Sequence, residues 1–298
     1  MIVRVRAPAK INLVLEVLGR RPDGFHELAS VVHAVALYDA LELRACDALE
    51  VRIEGAAVAP EADLVVRAAR LLRARLGVRL GAEIRCRKRI PVSSGLGGGS
   101  SDAAATLRAL AALWSAPDRA ALLAALAAEL GSDVPLFLSP GAALIRGRGE
   151  RVTPLPRLRA AWAVLVPLAA TLPEKTARLF AALGPGERGD GARAEAAAAA
   201  LRAGTLPAEE LLVNAFEPAA RALHPGLAAL QDALGQRAGA RFHLSGAGPS
   251  LFALCAARDE ALALLGRARP LAPTARLARL VGGAAPLRVV APGTALAS

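Results

Sequence analysis

Lysine is nearly absent from this chain of 298 residues. It occurs at Lys10, Lys88 and Lys175, and every other basic residue except histidine is arginine. With so much alanine and glycine, this bias is that of a GC-rich coding sequence. The net charge of +11 therefore reports codon supply before it reports a partner. Aromatic residues are scarce too, at 3%. Scattered arginines without rings to stack on bases argue against a nucleic-acid-binding protein, the one class the charge would otherwise suggest. An anionic small molecule suits the charge equally well. The cysteines, Cys46, Cys86 and Cys255, are far apart, form no CxxC pair and have no histidine at metal-ligand spacing. This speaks against a disulfide framework or a zinc site and fits reduced thiols in a cytoplasmic protein. No uncharged apolar run reaches the length of about 18 residues that a membrane helix needs. Arg4, Arg6 and Lys10 interrupt the apolar stretch that a secretion signal would require, so a cytoplasmic location is expected.

What the chain does have is apolar bulk. Hydrophobic residues make up 54% of it, ample for two domains or one large one. Ile2 to Val17 reads as strand, and Pro22-Asp23-Gly24 as a turn. Ser30 to Ala45 reads as strand, break, strand. Asp63 to Gly77 reads as a helix with an N-cap aspartate and a C-terminal glycine. Ala82 to Ile90 reads as a strand, Pro117 to Leu130 as a helix, and Trp162 to Val166 as another strand. A boundary near Thr153-Pro154-Leu155-Pro156 would divide the chain into domains at 1–153 and 154–298. Gly184 to Gly204 is biased in composition and is expected to be a mobile loop with a short helix. Ala240 to Ala256 reads as strand, glycine turn, strand. The interleaving lacks strict βαβ periodicity, which favours an α+β fold.

Between strand and helix lies Pro91-Val92-Ser93-Ser94-Gly95-Leu96-Gly97-Gly98-Gly99-Ser100-Ser101. It contains no lysine, so it is not a P-loop. Its glycines do not complete GxGxxG, so the dinucleotide reading is weak. The general pattern still fits an anion. Glycine lets the backbone approach a phosphate closely, and the free N–H groups of a helix start favour negative charge. Four glycines within five residues exceed what an ordinary turn requires. Ser100 and Ser101 add hydroxyls for a cap, a phosphate or a metal ion.

This stretch resembles the phosphate loop of the GHMP kinases. Ala7 to Leu28 (APAKINLVLEVLGRRPDGFHEL), Gly131 to Leu138 (GSDVPLFL) and Leu244 to Phe252 (LSGAGPSLF) resemble further motifs of that family, in the family's order. The Lys10–Asn12 and Pro22–His26 segments resemble the branch acting on a cytidyl diphosphate substrate. The resemblance implies a two-domain GHMP kinase fold with the active site in the inter-domain cleft. It implies ATP along the glycine loop, a small cytidyl diphosphate acceptor, and Mg²⁺ to neutralise phosphoryl charge.

Asp133 matches the family's catalytic aspartate, although Gly131-Ser132-Asp133 would also serve as a cap. Lys10 matches the catalytic lysine that orients this aspartate and keeps it ionised. A lysine here, in an arginine-rich chain, suggests that a compact ammonium is wanted. Asn12 would share a strand face with Lys10. Phe25 and His26 match a stacking aromatic and a base-binding histidine, with phenylalanine in place of tyrosine. Phe180 matches a second stacking ring and Thr176 a polar substrate contact, with Thr171 as the competing alignment. Lys88 is a candidate for approaching ATP, with a solvated strand end as the equal alternative. Asp63 falls where relatives contact adenosine. Gly246 and Gly248 would let their loop close on the phosphates. A GHMP kinase for mevalonate, homoserine or a sugar is the alternative, and a basic nucleic-acid-binding protein the remote one.

Overall fold

A computed structural model describes residues 1–56, 59, 61–116, 119–138, 141–158, 160–169, 174–184, 186, 188–282 and 286–290. Its spine is an antiparallel ribbon of two long strands, β1 (Ile2–Arg20) and β2 (His26–Cys46). The turn between them forms as its sequence suggests: Asp23 Oδ1 accepts the Phe25 N–H at 3.2 Å, and Gly24 takes a left-handed φ of +84°. The expected break inside Ser30–Ala45 does not occur. The ribbon instead absorbs its irregularity in register shifts at Pro8/Ala9, Asn12/Val14 and Val17/Gly19, where bulges bend it without ending it. β4 (Gly81–Arg87) pairs with the C-terminal half of β2, and β3 (Leu49–Glu54) lies parallel beyond it. β5 (Ala142–Gly147) pairs with the N-terminal half of β2 and carries β6 (Arg151–Leu155). β11 (Arg288–Val290) joins β1.

One part of this sheet is covered by α1 (Leu64–Leu76), α2 (Gly98–Leu113) and α3 (Arg119–Leu130). α1 has the expected ends. Asp63 accepts the Val65 N–H at 2.7 Å, and Gly77 closes the helix at φ +63°. α3 occupies the described part of the segment expected from Pro117. The inner face of α2 is largely alanine, so Val5, Leu43 and Ile84 of the sheet meet Leu107 and Leu110 of the helix across a thin core.

The second lobe has a four-stranded sheet with the order β10 (Arg276–Arg279), β7 (Trp162–Val166), β9 (Leu251–Cys255), β8 (His243–Leu244). α6 (Glu217–Leu223), α7 (Leu227–Ala238) and α8 (Arg258–Ala268) back it. α4 (Lys175–Ala181) and α5 (Ala192–Arg202) connect the lobes. Ile11, Leu13 and Val35 of the ribbon share one core with Leu165, Phe252 and Ala278 of the second sheet. The α+β class is as expected. The chain leaves the first sheet after Leu155, within the Thr153–Pro156 stretch, with Thr153 and Pro154 still paired in β6. Proline is tolerated there because β6 is an edge strand. β11 then returns to the first sheet, so the second lobe does not hold everything from 154 to 298.

The short helix expected within Gly184–Gly204 forms, and it is packed into the protein. The segment's alanines build an 11-residue helix, α5, with Ala194, Ala197, Ala198 and Leu201 fully buried in the shared core. Alanine is the best helix former, and its small side chain lets the helix sit close to the ribbon. Glu16 Oε2 of β1 accepts the Ala194 N–H at 2.9 Å. Ala197→Asp should therefore lower the urea-unfolding free energy by about 2 kcal/mol or more, the cost of a charge without a partner in a closed core. An unchanged unfolding midpoint would mean that this segment does not pack.

Candidate active site

The backbone carbonyls of Ser93, Ser94, Gly95 and Leu96 all turn into the protein. Lys175 Nζ donates to Ser93 O, and the Ser250 N–H donates to Ser94 O at 3.0 Å. Lys10 Nζ donates to Gly95 O at 2.8 Å, joined by Ser245 Oγ at 3.1 Å. The Lys10 N–H donates to Leu96 O at 2.9 Å. A planar trans peptide sets its N–H opposite its C=O. Tying down four successive carbonyls therefore aims the following N–H groups away from these anchors, and of these the Leu96 N–H is taken by Ser94 Oγ. Left-handed φ angles at Ser93 (+52°), Gly95 (+86°) and Gly97 (+71°) complete a concave row of backbone, the geometry that holds anions. A Cβ on Gly95 would lie 2.1 Å from Ser245 O, so this position admits only glycine. Gly98 opens α2 directly behind the loop, with Gly99 and Ser100 in its first turn.

The loop forms one wall of a cleft of about 1260 Å³ between the lobes. Pro91, Val92, Ser93, Ser94, Gly95, Gly97, Gly98, Gly99 and Ser100 line it, while Leu96 and Ser101 are buried behind. Lys10 and Asn12 line it from β1 and share a face as expected, with Lys10 Nζ donating to Asn12 Oδ1 at 2.6 Å. Asn12 Nδ2 in turn donates to Ser30 Oγ at 2.9 Å. Burial pushes the Lys10 ammonium below its ordinary pKa, and the negative charge of Asp133 works against that shift. Asp133 lines the same cleft. No hydrogen bond from a described residue holds its carboxylate, so it is not a cap, and Lys10 acts on it as a charge rather than by direct contact.

Lys88 lies under the start of α2, and a Cβ on Gly98 would sit 3.3 Å from its Nζ. It is not a solvated strand end. It pairs with both Asp39 and Asp102, all three groups being buried. Burial disfavours the Lys88 ammonium, but the two carboxylates outweigh this and hold its pKa above the ordinary value. Asp39 Oδ1 also accepts the N–H groups of Arg89 and Ile90, fixing the strand exit before the loop. Asp102 is pushed up to about 8, first by burial and then by Asp39, against the pull of Lys88. Its Oδ1 is buried without a hydrogen-bond partner, and the residue faces the cleft. Ser101 Oγ is also without a partner but lies behind the loop.

At the far end of the cleft, His26 stacks on Phe180 with centroids 4.4 Å apart and planes 10° off parallel. Phe180 meets Phe216 edge-on at 4.8 Å. Phe25 is half exposed, with the Arg148 guanidinium 4.9 Å from its ring centroid. The rings expected to hold a base are thus gathered here, each already engaged by a neighbour. Burial, reinforced by Arg20 and Arg188, pushes His26 below its ordinary pKa. Thr176 and Gly246 line the cleft, Asp63 lines it while capping α1, and Thr171 lies outside the described residues. Gly248 stands just behind and offers its carbonyl to Lys175. A Cβ on Gly246 would fall 2.8 Å from Lys10 Nζ, which explains glycine at that position. Sequence reading missed Lys175, Asp102 and Arg148. Only Lys175 carried a signal, its rarity: all three lysines of the chain line this one cleft.

A left-handed glycine loop at a helix start, a buried ammonium and a carboxylate that no described residue holds, all in one cleft, are the site of an ATP-dependent kinase of the GHMP class. Residues 63–141 match the GHMP kinases N terminal domain, and residues 190–269 match the GHMP kinases C terminal family. The chain is 42% identical over 276 residues to 4-diphosphocytidyl-2-C-methyl-D-erythritol kinase of Pelotomaculum thermopropionicum, covering 90% of this chain and 94% of that one. It is 40% identical to the kinase of the same name from Symbiobacterium thermophilum, covering 93% and 99%. A crystal structure of 4-(cytidine 5'-diphospho)-2C-methyl-D-erythritol kinase superposes with a TM-score of 0.77 at 35% identity, covering 94% and 100%. Homoserine kinase from Cytophaga hutchinsonii, at 21% identity and a TM-score of 0.72 with 97% of each chain covered, shares the fold. The chain belongs to the 4-diphosphocytidyl-2-C-methyl-D-erythritol kinases, a branch of the GHMP kinases.

The cluster beneath the loop makes an asymmetric prediction. Lys88→Met strands two buried carboxylates and should cost about 3 kcal/mol in chemical denaturation. Asp102→Asn leaves one ammonium facing one carboxylate and should cost less than about 1 kcal/mol. Equal losses in the two variants would contradict the arrangement.

Proposed function

We propose that this protein transfers the γ-phosphoryl group of ATP to the 2-hydroxyl of 4-diphosphocytidyl-2-C-methyl-D-erythritol, a step of isoprenoid precursor synthesis. The observation that carries the proposal is the arrangement of one cleft. Phosphate-binding backbone, Lys10 and Asp133 line it, and so does the Phe25–His26–Phe180 group at the far end.

The loop N–H groups and the α2 N-terminus hold the polyphosphate of ATP in line with the acceptor. No described residue donates to the Asp133 carboxylate, which leaves it to take the proton of the attacking 2-hydroxyl. Lys10, fixed by Asn12 and Gly95, keeps positive charge beside the transferring group and orients Asp133 electrostatically. Burial already disfavours this ammonium, so an arriving phosphate relieves it. The cytosine stacks on ring faces, which the Phe25 ring provides without a tyrosine hydroxyl. His26, kept neutral near pH 7, offers one ring donor and one acceptor to the base. Arg20, Arg148 and Arg188 make this end of the cleft positive, which suits a diphosphate. Mg²⁺ with ATP would supply charge neutralisation and needs hard oxygen ligands. Asp102, which lines the cleft and has Oδ1 without a hydrogen-bond partner, is the residue that fits it, rather than Ser101.

ATP consumption should appear with the cytidyl substrate and remain at background with mevalonate and homoserine. Turnover of either of those alcohols in preference would transfer the protein to the alternative reading. Duplex or single-stranded DNA should show no binding at 0.15 M salt, where counterion release weakens purely electrostatic contacts. Asp133→Asn should lower kcat by about 100-fold or more while ATP binding persists, and loss of less than about 10-fold would remove Asp133 as the base. Lys10→Ala should behave similarly. Phe25→Ala should raise KM for the cytidyl substrate and leave KM for ATP unchanged.

A further inference from the structure

Lys175 is a buried cation that the reaction just described does not use. It opens α4, is 9% exposed and lines the cleft. Its Nζ donates to Ser93 O in the glycine loop and to Gly248 O in the loop of the second lobe. An ammonium has three donors, so one is left. Lys88 is neutralised by Asp39 and Asp102, but Lys175 has no carboxylate within ion-pair distance among the described residues. The ionisable groups that act on it are Lys10 on β1 and His224 at the end of α6, neither of them negative. Ser93, whose carbonyl it holds, is a non-glycine residue at φ +52°, a conformation that needs support from its surroundings.

We propose that Lys175 is a positioning residue for phosphoryl transfer: it fastens the glycine loop to the Gly246–Gly248 loop and adds, beside Lys10, a second positive charge where the phosphates of ATP are held. A compact ammonium can bridge two carbonyls from a narrow space, which a planar guanidinium does less well. Burial, and next the charge of Lys10, pull Lys175 down to about 8, so the folded chain holds this charge unfavourably until an anion arrives. A bound polyphosphate favours the charged form. Binding near pH 8 should therefore take up protons, and affinity should weaken as pH rises through 8.

This inference rests on the kinase reading, and the test separates the two. ADP and adenosine binding would be measured by calorimetry at pH 7 and pH 9, in buffers of different ionisation enthalpy, for the wild type, K175M and K175R. In the wild type, ADP should bind with proton uptake near pH 8 and lose affinity at pH 9, while adenosine shows neither effect. K175M should weaken ADP about 10-fold or more, leave adenosine unchanged and abolish most of the uptake. K175R keeps the charge and should recover most of the ADP affinity. In turnover, kcat/KM for ATP should fall about 100-fold in K175M, the size of loss seen when one preorganised donor is removed. If the wild type failed to phosphorylate the cytidyl acceptor but kept Lys175-dependent ADP binding, the assignment of that reaction would fall while the phosphate-holding part of this inference would stand. Equal loss of ADP and adenosine in K175M, or wild-type binding of ADP without proton uptake, would overturn it. The proton measurement needs no variant and decides the matter even if K175M does not fold.

Discussion

The site depends on the orientation of four peptide groups. The carbonyls of Ser93 to Leu96 are each held by groups on β1, α4 and the loop between β8 and β9. A glycine-rich segment is entropically costly to order, so a loop left to itself would not present a fixed row of donors. Here the order is imposed by partners in both lobes. The N–H groups that follow these carbonyls, apart from that of Leu96, which Ser94 Oγ takes, point away from these anchors. Glycine at 95 and 246 follows from the same geometry, since a side chain at either place would collide with Ser245 O or Lys10 Nζ.

Charge reinforces this scaffold at three points. Lys10, Lys88 and Lys175 approach the loop from β1, from the strand exit after β4, and from α4. Lys88 is fully paired and works structurally, since the carboxylate it shares with Arg89 and Ile90 fixes how the chain enters the loop. Lys10 and Lys175 grip only neutral oxygens, and burial lowers the pKa of both. Uncompensated ammonium groups in a low-dielectric cleft are unfavourable until an anion binds, and that cost appears as affinity for phosphate. The far end of the cleft follows another logic, with flat rings for a base and guanidinium groups for a diphosphate.

Much of the site was legible in the sequence because its chemistry is local. The glycine loop, the Pro-Asp-Gly turn before Phe25-His26 and the Asp63 cap each announce themselves within a few residues. Lys10 and Asn12 could be placed on one face from strand periodicity alone. What was not legible depends on contacts between distant segments. Lys88 resembles a solvated strand end until Asp39 is brought beside it from 49 residues away. Lys175 lies 82 residues from the carbonyl it holds. The alanine-rich segment after Gly184 resembles a flexible linker, because alanine propensity reveals a helix but not the surface that receives it. The break expected within Ser30–Ala45 becomes a bulge instead: Ala36 and Leu37 of β2 stand opposite the single step from Pro8 to Ala9 of β1, and pairing continues on both sides.

The central claim is that this cleft moves a phosphoryl group from ATP to a hydroxyl of the cytidyl substrate. Phosphorus NMR of the complete reaction tests it most directly. The account predicts one new phosphomonoester resonance on the 2-hydroxyl of the methylerythritol unit, growing in step with ADP and without inorganic phosphate. ADP appearing together with inorganic phosphate, while the acceptor resonances stay unchanged, would contradict it.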